Sequence, residues 1–176
     1  MIDPRALLTH RQPPIVLSPG LHRHTGLYAQ AEGLVRPFIR ADRLAEGRPG
    51  FEALMYHEAL HVHERHALAG LVLLFLPVLG VFLWILWRRE QEVRADAFAL
   101  LAASTFARSR EAEKEEHDPA VVAAERAAAG LREFSAFVLL HEHPKSRFWK
   151  WCYGRTPAHR VERAVARSRR IRWAGD

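Results

Sequence analysis

The sequence predicts a mainly α-helical protein with a small β-hairpin or edge sheet. Apolar residues recur at helical spacing through most of the chain. The helical segments are 51–66, 88–102, 120–142 and 157–173. Two shorter runs, 26–30 and 33–40, have the composition of strands. Pro37 places the second run at a sheet edge or at a bulge, because proline cannot donate to a ladder.

The chain divides into an arm and one domain. Residues 1–20 carry Pro4, Pro13, Pro14 and Pro19, so an extended arm is expected there. Residues 21–176 are long enough to bury one core and are expected to form a single domain. The net charge of +6 favours an anionic partner, either a membrane surface or a nucleic acid.

The first long helical segment carries two histidines at the spacing of a metal site. His57 and His61 are four residues apart, so on a helix both imidazoles can face one metal ion. Glu58 leaves the helix about 100° further round, beside the ion, where a general base acting on water belongs. A solvated, histidine-rich amphipathic helix is the alternative interpretation.

A third ligand is available downstream, in another helical segment. A catalytic zinc site needs three protein ligands and one open position. Glu92 and Asp96 are four apart and share a face. Glu92 is the preferred ligand, and Asp96 is placed to accept the second ring N–H of a ligating histidine. Glu90 competes as a ligand, but it has no carboxylate four residues further on.

These two segments resemble a known family. HEALHVHERH at 57–66 and EVRAD at 92–96 are similar to the H-E-L-x-H-V-x-x-R-H and E-x-x-A-D motifs of HtpX-type and CAAX-prenyl-protease-type zinc metallopeptidases. The resemblance implies a zincin-like core that holds one zinc ion. It also implies endopeptidase activity on membrane or membrane-proximal polypeptides, with an edge strand beside the site that pairs with the extended substrate.

A late segment departs from this resemblance. Residues 153–163 are similar to the family's T-H-P-P-x-x-x-R segment, but Thr156 stands where the family has a histidine before proline. If that histidine helps to hold the oxyanion, another side chain must replace it. The candidates are His159, Arg160 and Arg163.

An uncharged run of 21 residues, 67–87, separates the two motifs. Its length suits a membrane span, but a span would place His57 and Glu92 on opposite sides of the bilayer. Pro77 and Gly80 at its middle predict a chain reversal. The expectation is therefore a long apolar hairpin of two antiparallel helices, about 52–76 and 81–108, with the zinc ligands at its base.

The hairpin is expected to dip into one leaflet of the inner or plasma membrane, with the active site facing the cytoplasm. Trp84 and Trp87 would lie at the headgroup level, and the basic helix 157–173 would lie on the anionic surface. The turn near Pro77 needs partners, which a homo-oligomer could supply. A buried core hairpin and a single span without a shared zinc site remain alternatives.

The remaining histidines and the single cysteine are not expected to take part in the reaction. His66 is expected to pack or to meet lipid headgroups, and Cys152 has no activating partner. Surface or structural roles are also expected for His22, His24, His63, His141 and His143.

The sequence therefore predicts a membrane-associated zinc endopeptidase with Glu58 as its base. Two alternatives stay open. One is an inactive zinc-binding adaptor, and the other is a basic membrane-surface or nucleic-acid-binding protein. No nucleic acid partner is expected, because no zinc-finger, RNA-binding or helix-turn-helix signature accompanies the basic helix.

Overall fold

The computed structural model describes residues 13–25, 27–74, 79–111, 119–140 and 147–170. The described chain is mainly α-helical with one small sheet, as the sequence predicts. Its elements are β1 (Ile15–Ser18), α1 (Leu21–Thr25), β2 (Ala29–Glu32), β3 (Phe38–Asp42), a short 3-10 turn (Arg43–Ala45), α2 (Phe51–His63), α3 (His66–Leu74), α4 (Leu79–Glu111), α5 (Pro119–Leu140), α6 (Arg147–Tyr153) and α7 (Pro157–Ser168).

The sheet has the strand order β1-β3-β2. β3 is the central strand, parallel to β1 and antiparallel to β2. The prediction of an edge or bulged second strand is wrong, because Pro37 lies just before β3 and leaves its ladder intact. The prediction of an arm without packed elements is wrong for Ile15–Ser18, which form β1. Residues 1–12 of that arm lie outside the described residues.

The outer edge of β2 faces the helices. Asp42 donates its N–H to the carbonyl of Tyr28, which marks this as a hydrogen-bonded pair of the antiparallel ladder. Such pairs alternate along the strand. Ala29 and Ala31 therefore point their backbone groups away from β3, toward Glu58 of α2 and the cavity beside it.

Gly50 starts α2, as the sequence predicts. Its φ of 88° is left-handed, and a Cβ there would lie 2.6 Å from the Cα of Phe137. Only glycine fits this position. The prediction of one continuous helix over 52–76 is wrong, because α2 ends at His63 and Arg65 adopts a φ of 50° before α3 begins.

The described residues of the apolar run lie in α3 and in the first turns of α4, which pack together where Gly70 meets the rings of Trp84 and Trp87. The predicted turn at Pro77 lies outside the described residues. The described residues thus do not show the long apolar hairpin. No helix among them combines the length and the apolar character that crossing a membrane requires.

α4 is the central helix, in contact with α2, α5 and α7. At its crossing with α5, a Cβ on Gly130 would lie 2.6 Å from the Cα of Ser104, so the absence of a side chain is a packing requirement. The largest buried side chains of the core are Leu54, Ile39, Phe134 and Phe137. This packing fixes α4 against α2, and it is along this contact that the two sequence motifs meet.

Candidate metal centre

Three buried side chains from α2 and α4 converge on one point: His57, His61 and Glu92. His57 Nε2 lies 3.2 Å from His61 Nε2 and 3.2 Å from Glu92 Oε2, and His61 Nε2 lies 3.6 Å from the same carboxylate oxygen. Zinc bonds of about 2.0–2.1 Å in a tetrahedron place two ligand atoms about 3.3 Å apart. The group can therefore hold a metal ion.

The carboxylates of this group favour positive charge beside them. Burial alone would lower the pKa of His57, but Asp96 and Glu92 raise it to about 9. Burial likewise opposes ionisation of Glu92, yet Arg88 and His61 hold the pKa of that carboxyl well below its usual range. No described residue gives a Glu92 oxygen a hydrogen bond of ordinary geometry, although Oε1 lies 2.7 Å from Arg88 Nη2. A metal cation would meet this demand for positive charge.

Behind His57 lies a fully buried pair, Asp96 and Arg160, which we call the inner relay. His57 Nδ1 is 3.0 Å from Asp96 Oδ1. Arg160 donates two hydrogen bonds to the same carboxylate, from Nε at 2.8 Å and from Nη2 at 2.6 Å. A metal on His57 Nε2 leaves the ring proton on Nδ1, which is the atom that faces Asp96.

Behind His61 lies a second chain, His66, Glu64 and Arg94, which we call the outer relay. His61 Nδ1 is 2.5 Å from His66 Nδ1, His66 Nε2 is 2.7 Å from Glu64 Oε2, and Arg94 donates to Glu64 Oε1 at 2.5 Å. With a metal on His61 Nε2, only one proton order satisfies the chain. His61 Nδ1 donates to His66 Nδ1, and His66 Nε2 donates to Glu64.

A cavity of about 280 Å³ opens in front of the three ligands, between β2 and α4. Glu58 lines it, and its Oε2 accepts a hydrogen bond of 2.7 Å from the N–H of Ala31. Burial raises the pKa of Glu58 to about 7, with a further contribution from Glu92. Arg88 and Tyr153 line the same cavity. The cavity thus joins a carboxyl group, a guanidinium, a phenol and the outer edge of β2.

The structure brings together His57, Glu58, His61, Glu92 and Asp96 as the sequence predicts. It places Glu90 on the exposed side of α4 in an ion pair with Arg167, and it leaves His63 exposed, so neither joins the ligands.

The three candidates for the late donor do not line the cavity. His159 lies in the first turn of α7, where its Nδ1 accepts from the N–H of Arg155. The guanidinium of Arg160 is occupied by Asp96. Arg163 faces another cavity, between α4 and α7. A direct role for these three side chains at the reacting atoms is therefore not supported by their positions.

Sequence reasoning missed Arg88, Tyr153 and the outer relay. Arg88 carried a signal, since it precedes Glu92 by four residues and such pairs meet on a helix. Tyr153 carried none, because only the packing of α6 against α4 brings its ring to the cavity. His66 is buried against His61 and Trp87, so of its two expected places the packed one is confirmed. Cys152 is buried, and burial raises the pKa of its thiol to about 11.

Comparisons of the chain with protein-family models, with curated proteins and with solved structures find no match. The function must be inferred from the geometry of the site.

Proposed function

We propose that this protein is a zinc-dependent endopeptidase that works at a membrane surface, as the resemblance to HtpX-type metallopeptidases implies. The observation that carries the proposal is the spacing of the three ligand atoms, 3.2, 3.2 and 3.6 Å, around one buried point. His57, His61 and Glu92 would hold the ion. Two histidines and one carboxylate form a ligand set that catalytic zinc sites use.

Zinc held there would supply Lewis acidity, polarising the scissile carbonyl and making water more acidic. Glu58 is the general base of this proposal. Its carboxyl group lines the cavity and is oriented by the N–H of Ala31. It takes a proton from the attacking water and passes that proton to the leaving amine. A pKa near 7 suits a group that both accepts and donates.

Arg88 and Tyr153 replace the missing late histidine in this proposal. Both line the cavity in front of the ligands, whereas His159 does not. A guanidinium and a phenol are hydrogen-bond donors, as the developing oxyanion requires. Arg88 also holds Glu92, so loss of Tyr153 is the cleaner test of this role.

The substrate is an extended polypeptide that pairs with the outer edge of β2. Ala29 lines the cavity and directs its N–H and carbonyl away from β3. The carbonyl of Ala31 points the same way, while the N–H of Ala31 holds Glu58. Main-chain pairing accepts varied side chains, which suits an endopeptidase of membrane-proximal polypeptides.

The membrane contact is proposed from exposed apolar side chains of α3 and α4. Val72 is 58% exposed and Phe82 is 67% exposed, and Leu68, Leu71, Val81 and Leu83 are exposed near them. A patch of this kind is costly in water and is typical of a membrane or protein contact. In this proposal the site faces the cytoplasm, because basic residues flank the apolar run on both sides.

Metal content and proteolysis of detergent-purified protein test the proposal. We expect about one zinc per chain, weakened in Glu92→Ala. Glu58→Gln should retain zinc and lose at least about a hundredfold in cleavage of a protein substrate. Full activity in Glu58→Gln would show that Glu58 is not the general base. Zinc binding with no cleavage by the unmodified chain would instead favour the inactive adaptor.

A further inference from the structure

A second cavity, of about 370 Å³, lies between α4 and α7, away from the metal ligands. Four guanidinium groups line it, from Arg89, Arg163, Arg167 and Arg170. We call it the arginine pocket. The sequence shows basic residues on this helix, but only the packing of α7 against α4 gathers them around one cavity.

The positive charge in the arginine pocket is not balanced by the described residues. Among the described residues of its lining, Glu90 carries the one carboxylate, and it pairs with Arg167. Arg89 lies over the ring of Trp151, at 4.7 Å from its centroid. Arg163 and Arg170 make no ion pair with a described residue, and Arg163 is half-buried. Neighbouring guanidinium groups repel one another, so a multiply charged anion would bind there favourably.

An apolar ridge leads into the pocket along the same helix face. Leu79, Phe82 and Leu86 are 65%, 67% and 49% exposed, respectively. They follow one another at three- and four-residue steps, and the next such steps reach Glu90 and Val93 in the pocket lining. A ligand that fits both parts is an amphiphile with an anionic head and apolar chains.

We propose that the arginine pocket binds the phosphate headgroup of an anionic phospholipid, whose acyl chains lie along the apolar ridge. Arginine forks match phosphate oxygens in pairs, and the ridge offers the apolar surface that acyl chains cover. This inference deepens the membrane contact of the proposed function and is independent of its zinc chemistry. It predicts that the headgroup binds at the arginine pocket, whereas net charge alone would attract lipid headgroups to the whole surface of the protein.

Vesicle sedimentation of the full chain tests the site. Arg163→Gln combined with Arg170→Gln removes two charges from the pocket. Arg126→Gln combined with Arg132→Gln removes two charges from α5 and serves as the matched control. With phosphatidylcholine vesicles containing phosphatidylglycerol, we expect the pocket variant to lose roughly thirtyfold in affinity, as when two arginines leave an anionic surface. The control variant should stay close to the unmodified chain.

An equal loss in both double variants would overturn the proposal, since net charge alone would then govern binding. Binding of inorganic phosphate distinguishes a site for a soluble anion from a site for a lipid headgroup. If it binds the unmodified chain as tightly as the vesicles do, the site serves a soluble anion and the lipid assignment fails. Phe82→Gln should weaken vesicle binding and leave inorganic phosphate binding unchanged.

The variants must keep their fold for these outcomes to count. Helical content and zinc content should equal those of the unmodified chain, because the pocket shares no residue with the metal ligands. Arg170→Gln alone alters an exposed side chain and provides the test if Arg163→Gln is unstable. If the unmodified chain binds zinc but not the anionic vesicles, only this inference fails. If the unmodified chain binds the vesicles but not zinc, only the proposed catalysis fails.

Discussion

The two histidines of the candidate metal centre are held in different ways. The inner relay behind His57 is a buried ion pair, and its arginine is 2% exposed. The outer relay behind His61 runs toward the surface, from a buried histidine to a glutamate side chain that is 16% exposed and an arginine side chain that is 40% exposed. Each relay faces the Nδ1 atom of its histidine. The inner relay is buried throughout, whereas the outer relay ends at a partly exposed arginine.

This difference separates stability from metal affinity. A buried pair is costly to break, because each charge that loses its partner stays in a medium that solvates it poorly. A half-exposed pair loses little, since water replaces the missing partner. We therefore expect the inner relay to affect both folding and metal binding, and the outer relay to affect metal binding above all.

Asp96→Ala should have the largest effect. It leaves Arg160 buried without a carboxylate and His57 without its ring partner. We expect the free energy of unfolding to fall by about 3–5 kcal/mol and zinc affinity to fall about 10- to 100-fold. Urea unfolding in excess chelator isolates the first quantity, and chelator competition measures the second.

A second substitution, at Arg160, tests whether an unpaired buried charge causes this loss of stability. Arg160→Met in the Asp96→Ala background removes the unpaired charge, so part of the lost stability should return while zinc affinity stays low. If the double variant is less stable than Asp96→Ala, the cost lies in packing against Phe137 and Tyr153 and not in charge.

His66→Phe should have an intermediate effect, confined to the metal. The substitution keeps a ring between His61 and Trp87 but removes the acceptor for His61 Nδ1. Zinc affinity should fall roughly tenfold or more. His66→Asn is the matched control, because its amide oxygen can accept the same proton. Equal zinc affinities of the two variants, measured by chelator competition, would contradict the outer relay.

The sequence predicts the inner relay better than the outer one, for a geometric reason. Asp96 is four residues from Glu92 on one uninterrupted helix, so periodicity places it beside the ligands. His66 is five residues from His61, about 140° around a continuous helix. The left-handed φ of Arg65 breaks the helix and turns the His66 ring back onto His61.

The same reasoning explains what else the sequence left open. The pairing of His57 with His61, the place of Glu58 beside them and the mainly helical fold follow from local spacing, which a sequence shows directly. Tyr153 and Arg160 reach the centre through the packing of α6 and α7 against α4, which no local pattern encodes. The parallel pairing of β1 with β3 has the same origin, because it joins residues far apart in the chain.

Arg94→Gln should have the smallest effect, and it tests how far the outer relay extends. Arg94 is exposed enough for water to solvate Glu64 in its absence, so the free energy of unfolding should change by less than about 1 kcal/mol. Zinc affinity should fall by no more than about threefold, with a smaller difference at high salt. Chelator competition at low and high ionic strength provides the measurement. A loss as large as that of His66→Phe would mean that Arg94 fixes the glutamate in place, and the outer relay would then behave like the inner one.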